Sequence, residues 1–171
     1  MQSGAGYRVR PVLPTDMDGL YALGLELFPS WLRISRTLAS NPQTFSAALW
    51  RNVIVQQVVV DAGDHFCGLL ALHDPDLLAG TAWADYVQRP DLDDDFLPVV
   101  REAAAGVERL ARQEWNLRRL YHEAPEYAPS VLVASGGWEH LYSVPADLYS
   151  QGTYWDRHIY VSELPPAPAS P

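Results

Sequence analysis

Apolar and charged positions alternate along residues 6–12, GYRVRPV, and this period of two predicts a first strand. The period then lengthens. In PTDMDGLYALGLELF, Leu20, Leu23 and Leu27 recur at helical spacing, with Thr15 placed as the N-cap and Asp18 three residues on. Pro29 opens a second helical piece, PSWLRISRTLA, and Pro42 a third, PQTFSAALW. Two β-rich runs, VIVQQVVV and HFCGLLALH, flank Ala62-Gly63-Asp64 and predict a hairpin. TAWADYVQ, residues 81–88, reads as a fourth strand. The strongest helical period covers about 95–115, where Phe96, Val99, Val100, Ala103, Val107, Leu110 and Ala111 share one face. A short strand over 117–123 and a short helix over 128–135 follow, the helix stopping at Gly136-Gly137. Two closing strands turn around Ser150-Gln151-Gly152. The order is β-αα-β-β-β-α-β-α-β-β: an α/β chain with a mixed sheet rather than a doubly wound one. Residues 1–164 read as one domain, and the tail 165–171, PPAPASP, lacks the apolar content to pack and reads as disordered.

Composition narrows the function. With 48% apolar and 19% charged residues, the chain has the balance of an ordinary globular protein. No apolar run approaches the roughly 20 residues that span a bilayer, and MQSGAGYRVRP lacks the apolar block of a signal peptide. The expectation is a cytoplasmic protein with no membrane partner. The formal net charge is −9, and all 12 basic residues are arginine. That balance opposes nucleic-acid binding, which rests on neutralising phosphates, and suits a cationic small molecule or basic peptide. With no lysine, Schiff-base chemistry is excluded. Cys67 is the only cysteine and sits in an apolar run, where an inert buried thiol is expected. The five histidines lack metal-ligand spacing, so no metal is expected.

Three segments carry a resemblance to a known family. "YRVRPVLPTDMDGLYAL" resembles the opening strand and helix of the GNAT superfamily, the GCN5-related N-acetyltransferases, with its R-L-R-P-x-x-x-x-D-x-x-x-L-Y pattern. "LRRLYHEAPEYAPSVLVASGGWE" resembles the family's segment of strand, asparagine, serine and helix, and "SQGTYWDRHIYVSEL" its closing strand. The last two are similar to the branch that acetylates ribosomal-protein N-termini. The resemblance implies a mostly antiparallel sheet of six to seven strands with about four flanking helices. It also implies transfer of an acyl group from acetyl-CoA or another acyl thioester to an amine of a small molecule or peptide. The sequence itself sets no oligomeric state, but exposed strands or the closing hairpin leave room for a homodimer.

In that family the donor lies where the fourth and fifth strands splay apart. Its pyrophosphate rests on a glycine-containing loop at the N-terminus of the next helix, where backbone N–H groups and the helix dipole favour anions. The carry-over assigns cofactor contacts to Tyr86, Val87 and Gln88 on the strand and to Asp94, Asp95 and Phe96 on the loop. Asp94 and Phe96 stand at both glycine positions, and carboxylates there repel phosphate. The competing reading of "DLDDDF" is a helix start, with Asp94 or Asp95 as N-cap and Pro98 in the first turn. Tyr127 stands where the family has an asparagine, and Ser130 matches its serine. The short helix lacks the tyrosine that protonates the leaving thiolate; Ser135 and Gly136 stand in its place.

Amine acylation needs a base, an oxyanion donor and an acid. The fourth strand offers Asp85 and Tyr86, and the fifth Tyr121, His122 and Glu123; Glu123 is the first choice of base, followed by Asp85. Phe28 and Trp31, between the first helices, are candidates for an aromatic acceptor pocket, with core packing as the competing reading. Three functions stay open: an acyltransferase, an enzyme of other chemistry in the same cleft, and a non-catalytic small-molecule-binding or scaffold protein.

Overall fold

The computed structural model describes residues 6–27, 41–51, 53–92, 96–128, 130–150 and 152–165. Phe28, Trp31, Asp94 and Asp95 lie outside them, so the aromatic-pocket and acidic-loop expectations do too. The second helical piece from Pro29 and most of the tail share that status.

Seven strands form one sheet in the order β1-β2-β3-β4-β5-β7-β6. Their ranges are β1 Arg8–Pro11, β2 Val53–Val60, β3 Phe66–Asp76, β4 Thr81–Gln88, β5 Arg119–Pro125, β6 Glu139–Ser150 and β7 Thr153–Glu163. Every neighbouring pair is antiparallel except β4 and β5. Among the described residues four helices flank it: α1 Met17–Leu27, α2 Pro42–Leu49, α3 Leu97–Trp115 and α4 Val131–Ala134. The architecture is the α/β, mostly antiparallel one that the sequence pattern and the resemblance predicted.

β3 is a central strand, and its run of apolar residues follows from burial on both faces. Cys67, Leu70 and Leu72 join Val99, Val100, Ala103 and Val107 of α3 in one core. Leu69 and Ala71 join Leu20, Leu23 and Phe45 in the other, beneath α1 and α2. Burial pushes the Cys67 thiol up, as expected of an inert core cysteine.

Local chemistry corrects several sequence expectations. Thr15 is exposed and does not cap α1. A 3-10 turn, Pro14–Asp16, precedes the helix, and Asp16 does the work instead. Its Oδ2 accepts from the Leu13 N–H at 2.7 Å and from Arg10 Nη1 at 2.7 Å, while Oδ1 accepts from Arg10 Nη2 at 3.0 Å. Burial alone would raise the Asp16 carboxyl, but the Arg10 guanidinium and the Leu13 N–H outweigh it and hold it below the usual carboxylate range. The motif RPVLPTD is therefore a strand-to-helix clamp.

Helix α3 starts with Phe96 as N-cap in helical conformation and without a side-chain cap, rather than on an aspartate; Pro98 falls in its first turn as expected. The Phe96 ring is 1% exposed and packs edge-on against Tyr7, so its side chain belongs to the core and not to a phosphate loop. At the other end Asn116 adopts φ 52° and its N–H bonds the Ala111 carbonyl. The chain then enters β5 two residues later than the periodicity suggests. The N–H groups of Arg118 and Arg119 both bond the carbonyl of Gly80, at 2.7 and 3.2 Å, which sets β5 beside β4. Consequently β5 runs to Pro125, and Glu123 lies within the strand instead of ending it. Helix α4 is also shorter than read, because Ser130 is extended and Gly136 takes φ 98°.

Candidate active site

Strands β4 and β5 pair only over Thr81–Trp83 and Arg119–Tyr121, and beyond that the ladder ends. Both strands continue, β4 to Gln88 and β5 to Pro125, and a cleft of about 150 Å³ opens between them. It is lined by Tyr86, Val87 and Gln88 of β4, by His122, Glu123, Ala124 and Pro125 of β5, and by Ala128, Ser130 and Val131 leading into α4.

The β4 edge inside the cleft has a definite polarity. The Ala84 carbonyl points toward β5, while the Arg89 N–H bonds the Cys67 carbonyl on β3. Backbone groups alternate sides along a strand, so those of Tyr86 and Gln88 face the cleft, outside any β4–β5 ladder. A linear amide chain fits such an edge.

His122 sits where the ladder stops. Its Nδ1 lies 2.7 Å from the Ala84 carbonyl, which only accepts, so Nδ1–H donates. Its Nε2 is 2.7 Å from Ser130 Oγ. In the neutral imidazole Nε2 is then an acceptor, and the serine hydroxyl donates to it. Ser130 also caps α4, its Oγ accepting from the Val133 N–H at 3.4 Å. Trp138 packs edge-on against the imidazole at 5.7 Å.

Tyr86 donates its hydroxyl to Gln88 Oε1 at 3.0 Å, and burial pushes its phenol far above the ordinary range, so it stays protonated. Tyr127 turns away from the cleft and stacks edge-on with Trp155 of β7 at 5.4 Å. Ser135, at the end of α4, is buried and donates its hydroxyl to the Leu132 carbonyl at 2.7 Å.

The three residues considered for catalysis project to the face of the sheet opposite α3. Glu123 is held by Arg157, Oε2 to Nη1 at 3.1 Å, and Arg157 also reaches Asp147 at 2.9 Å. Tyr121 lies in a tilted ring contact with Trp83 at 5.4 Å. Asp85 is 7% exposed and stands 3.0 Å from His73 Nε2, close enough for an ion pair though not aligned as a hydrogen bond. His73 Nδ1 lies 3.0 Å from Asp74. Burial lowers the His73 imidazolium's pKa, but Asp85 and Asp74 outweigh it and raise the net value above the ordinary one. The structure thus gathers Tyr86, Val87, Gln88, Glu123 and Ser130 along one cleft, leaves Tyr127 outside it, and sets Asp85 and Tyr121 on the face of the same strands opposite α3.

His73 and Arg157 escape a reading of the sequence. His73 meets Asp85 across a strand pair in which Asp85 stands opposite Ala71, and Arg157 meets Glu123 from a position opposite Pro125. Only the registers bring these pairs together. Among the described residues, no group of three or more His, Cys, Asp or Glu is arranged to hold a metal ion.

A splayed parallel strand pair within an otherwise antiparallel seven-stranded sheet defines the class: the chain has the fold of the GNAT N-acetyltransferases. The similar solved structures are more particular. The dodecameric spermidine N-acetyltransferase from Vibrio cholerae superposes with a TM-score of 0.72 at 14% identity, over 94% of this chain and 95% of that one. The same enzyme in complex with CoA and spermine gives 0.70 at 15% identity, over 94% and 97%. The ribosomal-protein-S5-alanine acetyltransferase from Vibrio fischeri gives 0.72 at 16% identity, over 95% and 96%. No protein-family model matches the sequence, and no curated protein matches it.

Proposed function

We propose that the protein transfers an acyl group from a pantetheine thioester, acetyl-CoA in the simplest case, to an amine of a small molecule or peptide. One observation carries this reading: the unpaired β4 edge at Tyr86 and Gln88 faces a cleft that opens where the parallel ladder stops. A pantetheine arm is a chain of amides and would pair with that edge, and the cleft leads through the sheet between its two faces. The donor fits the residues present on this count. The β4 backbone would hold its arm, and bound there it supplies an activated carbonyl. The similar spermidine enzyme was captured with CoA and spermine, which supports an amine acceptor.

On the acceptor face, Glu123 is the base that takes the ammonium proton, directly or through water. Arg157, 3.1 Å away, holds and orients it, and the proton's path runs past that guanidinium. Asp85, tied to His73, is the second carboxylate near the point of splay, and Tyr121 lines the approach. The exposed Leu141, Tyr142, Tyr149 and Tyr154 of β6 and β7 support a homodimer through that end of the sheet.

The aspartates 93–95 favour a second reading, in which the nucleotide end of CoA is poorly held or the cleft serves other chemistry without CoA. Calorimetry with CoA and with pantetheine separates the two. Binding of acetyl-CoA, together with thiol release on adding spermidine or an N-terminal peptide amine, is the result expected of the acyltransferase. Absence of binding by both CoA and pantetheine, and an unmoved melting temperature at millimolar CoA, would sink it.

A further inference from the structure

We propose that Ser130 is a nucleophile, activated by His122, and that the cleft forms an acyl-serine and so carries an esterase and thioesterase activity of its own. The inference rests on two short hydrogen bonds that share the His122 imidazole and takes the thioester donor from the reading above. Ser130 Oγ and His122 Nε2 are 2.7 Å apart, and His122 Nδ1 is 2.7 Å from the Ala84 carbonyl. A hydroxyl, a base and a group that fixes the base's tautomer is the arrangement that activates a serine. The direction of the bonds matters. Because Ala84 can only accept, the lone pair of the neutral imidazole faces the serine, ready to take its proton. Ser130 and His122 both line the cleft into which the N–H groups of Tyr86 and Gln88 point, so donors for a developing oxyanion face the same space.

The step balances. Ser130 Oγ attacks the acyl carbonyl and its proton moves to His122 Nε2. The C–S bond breaks, and the thiolate leaves with that proton, giving a free thiol and an acyl ester on Ser130. Water or an amine then attacks the ester, loses a proton to Nε2, and Ser130 leaves protonated. The products are a carboxylic acid or an amide.

The test uses purified full-length protein and three probes: a fluorophosphonate, p-nitrophenyl acetate and acetyl-CoA. The expected result is fluorophosphonate labelling and acetylation of Ser130, located by peptide mass spectrometry. p-Nitrophenol should appear in a burst of about one equivalent per chain. Ser130→Ala abolishes both, and His122→Gln slows them by about 100-fold or more while the fold, read by circular dichroism, persists. Ser130→Thr, which keeps a hydroxyl and the cap, controls for loss of α4. Acylation by the ester but not by acetyl-CoA supports the Ser130 nucleophile and its esterase activity, and overturns the thioesterase step together with the transferase reading. Amine acetylation by the wild type with no adduct on Ser130 from any probe overturns the proposal and leaves the transferase intact. A wild-type protein inert to all three probes overturns it as well.

Discussion

At the scale of single residues, two buried ion pairs give the protein opposite responses to pH. Asp16 is held below the ordinary carboxyl range, where Arg10 and the Leu13 N–H outweigh burial. Its stabilising contribution is therefore complete above the unfolded carboxyl's value of about 3.9 and is lost as pH falls through the lower folded value. Asp16→Asn should cost about 2 kcal/mol at neutral pH, since it removes a charge-assisted fork while sparing an acceptor for Leu13. Chemical denaturation of both proteins checks this, and the difference should shrink as pH falls through the lowered value of the folded Asp16 carboxyl. His73 behaves in the reverse sense. Its folded value is raised, so its contribution is complete below the unfolded imidazole value of about 6.5 and is lost as pH rises through the folded one. Wild-type stability should carry a downward slope above neutrality that His73→Gln removes. A slope that survives in the variant would assign it to another group.

At the scale of elements, the cleft depends on how β4 and β5 are brought together at one end and released at the other. Gly80 does the first. Its φ of 69° lets the turn after β3 aim one carbonyl at two successive N–H groups of the chain entering β5. A Cβ there would meet Arg118 Cγ at 3.4 Å, an ordinary contact, so the penalty of substitution is conformational and not steric. Gly80→Ala should cost about 1 kcal/mol, lowering the melting temperature by about 2–4 °C, with Gly80→Asn closer to wild type. Faster hydrogen exchange at Arg118 and Arg119 in the alanine variant would locate the effect; protection equal to wild type would place the strain elsewhere. These elements also mark what a sequence can and cannot disclose. The apolar face of α3 and the β-branched β2–β3 hairpin are written as periodicities, and they form as read. Thr15 has the residue type of a cap, yet capping depends on backbone conformation at one position, and before α1 it is Asp16 that accepts the Leu13 N–H. Within the cleft, Tyr86, Gln88, Glu123 and Ser130 were reachable because they follow a motif in order along the chain. The hydrogen bond of His122 to Ala84 and the ion pair of Asp85 with His73 arise between strands, at registers that no local pattern encodes.

At the scale of the whole molecule, the net charge of −9 acts on both proposed substrates at once, and in opposite directions. A polyamine acceptor is a multivalent cation and is concentrated by the negative field. CoA carries several phosphate charges and is repelled by it, the more so if the aspartates at 93–95 stand near its nucleotide end. Salt screens both effects, because the Debye length shortens from about 10 Å at 0.1 M to about 3 Å at 1 M. Raising ionic strength should therefore increase KM for spermidine and decrease KM for acetyl-CoA, with kcat nearly constant, in steady-state assays of thiol release. Pantetheine thioesters, which lack the nucleotide, should show almost no salt dependence. This contrast separates the field of the molecule from the local contacts of the cleft. If both KM values move together, screening of the whole protein is not what salt changes. If acetyl-CoA alone is unmoved, the acidic segment lies away from the phosphates, and the exchange of glycines for Asp94 and Phe96 bears on the helix start rather than on the donor.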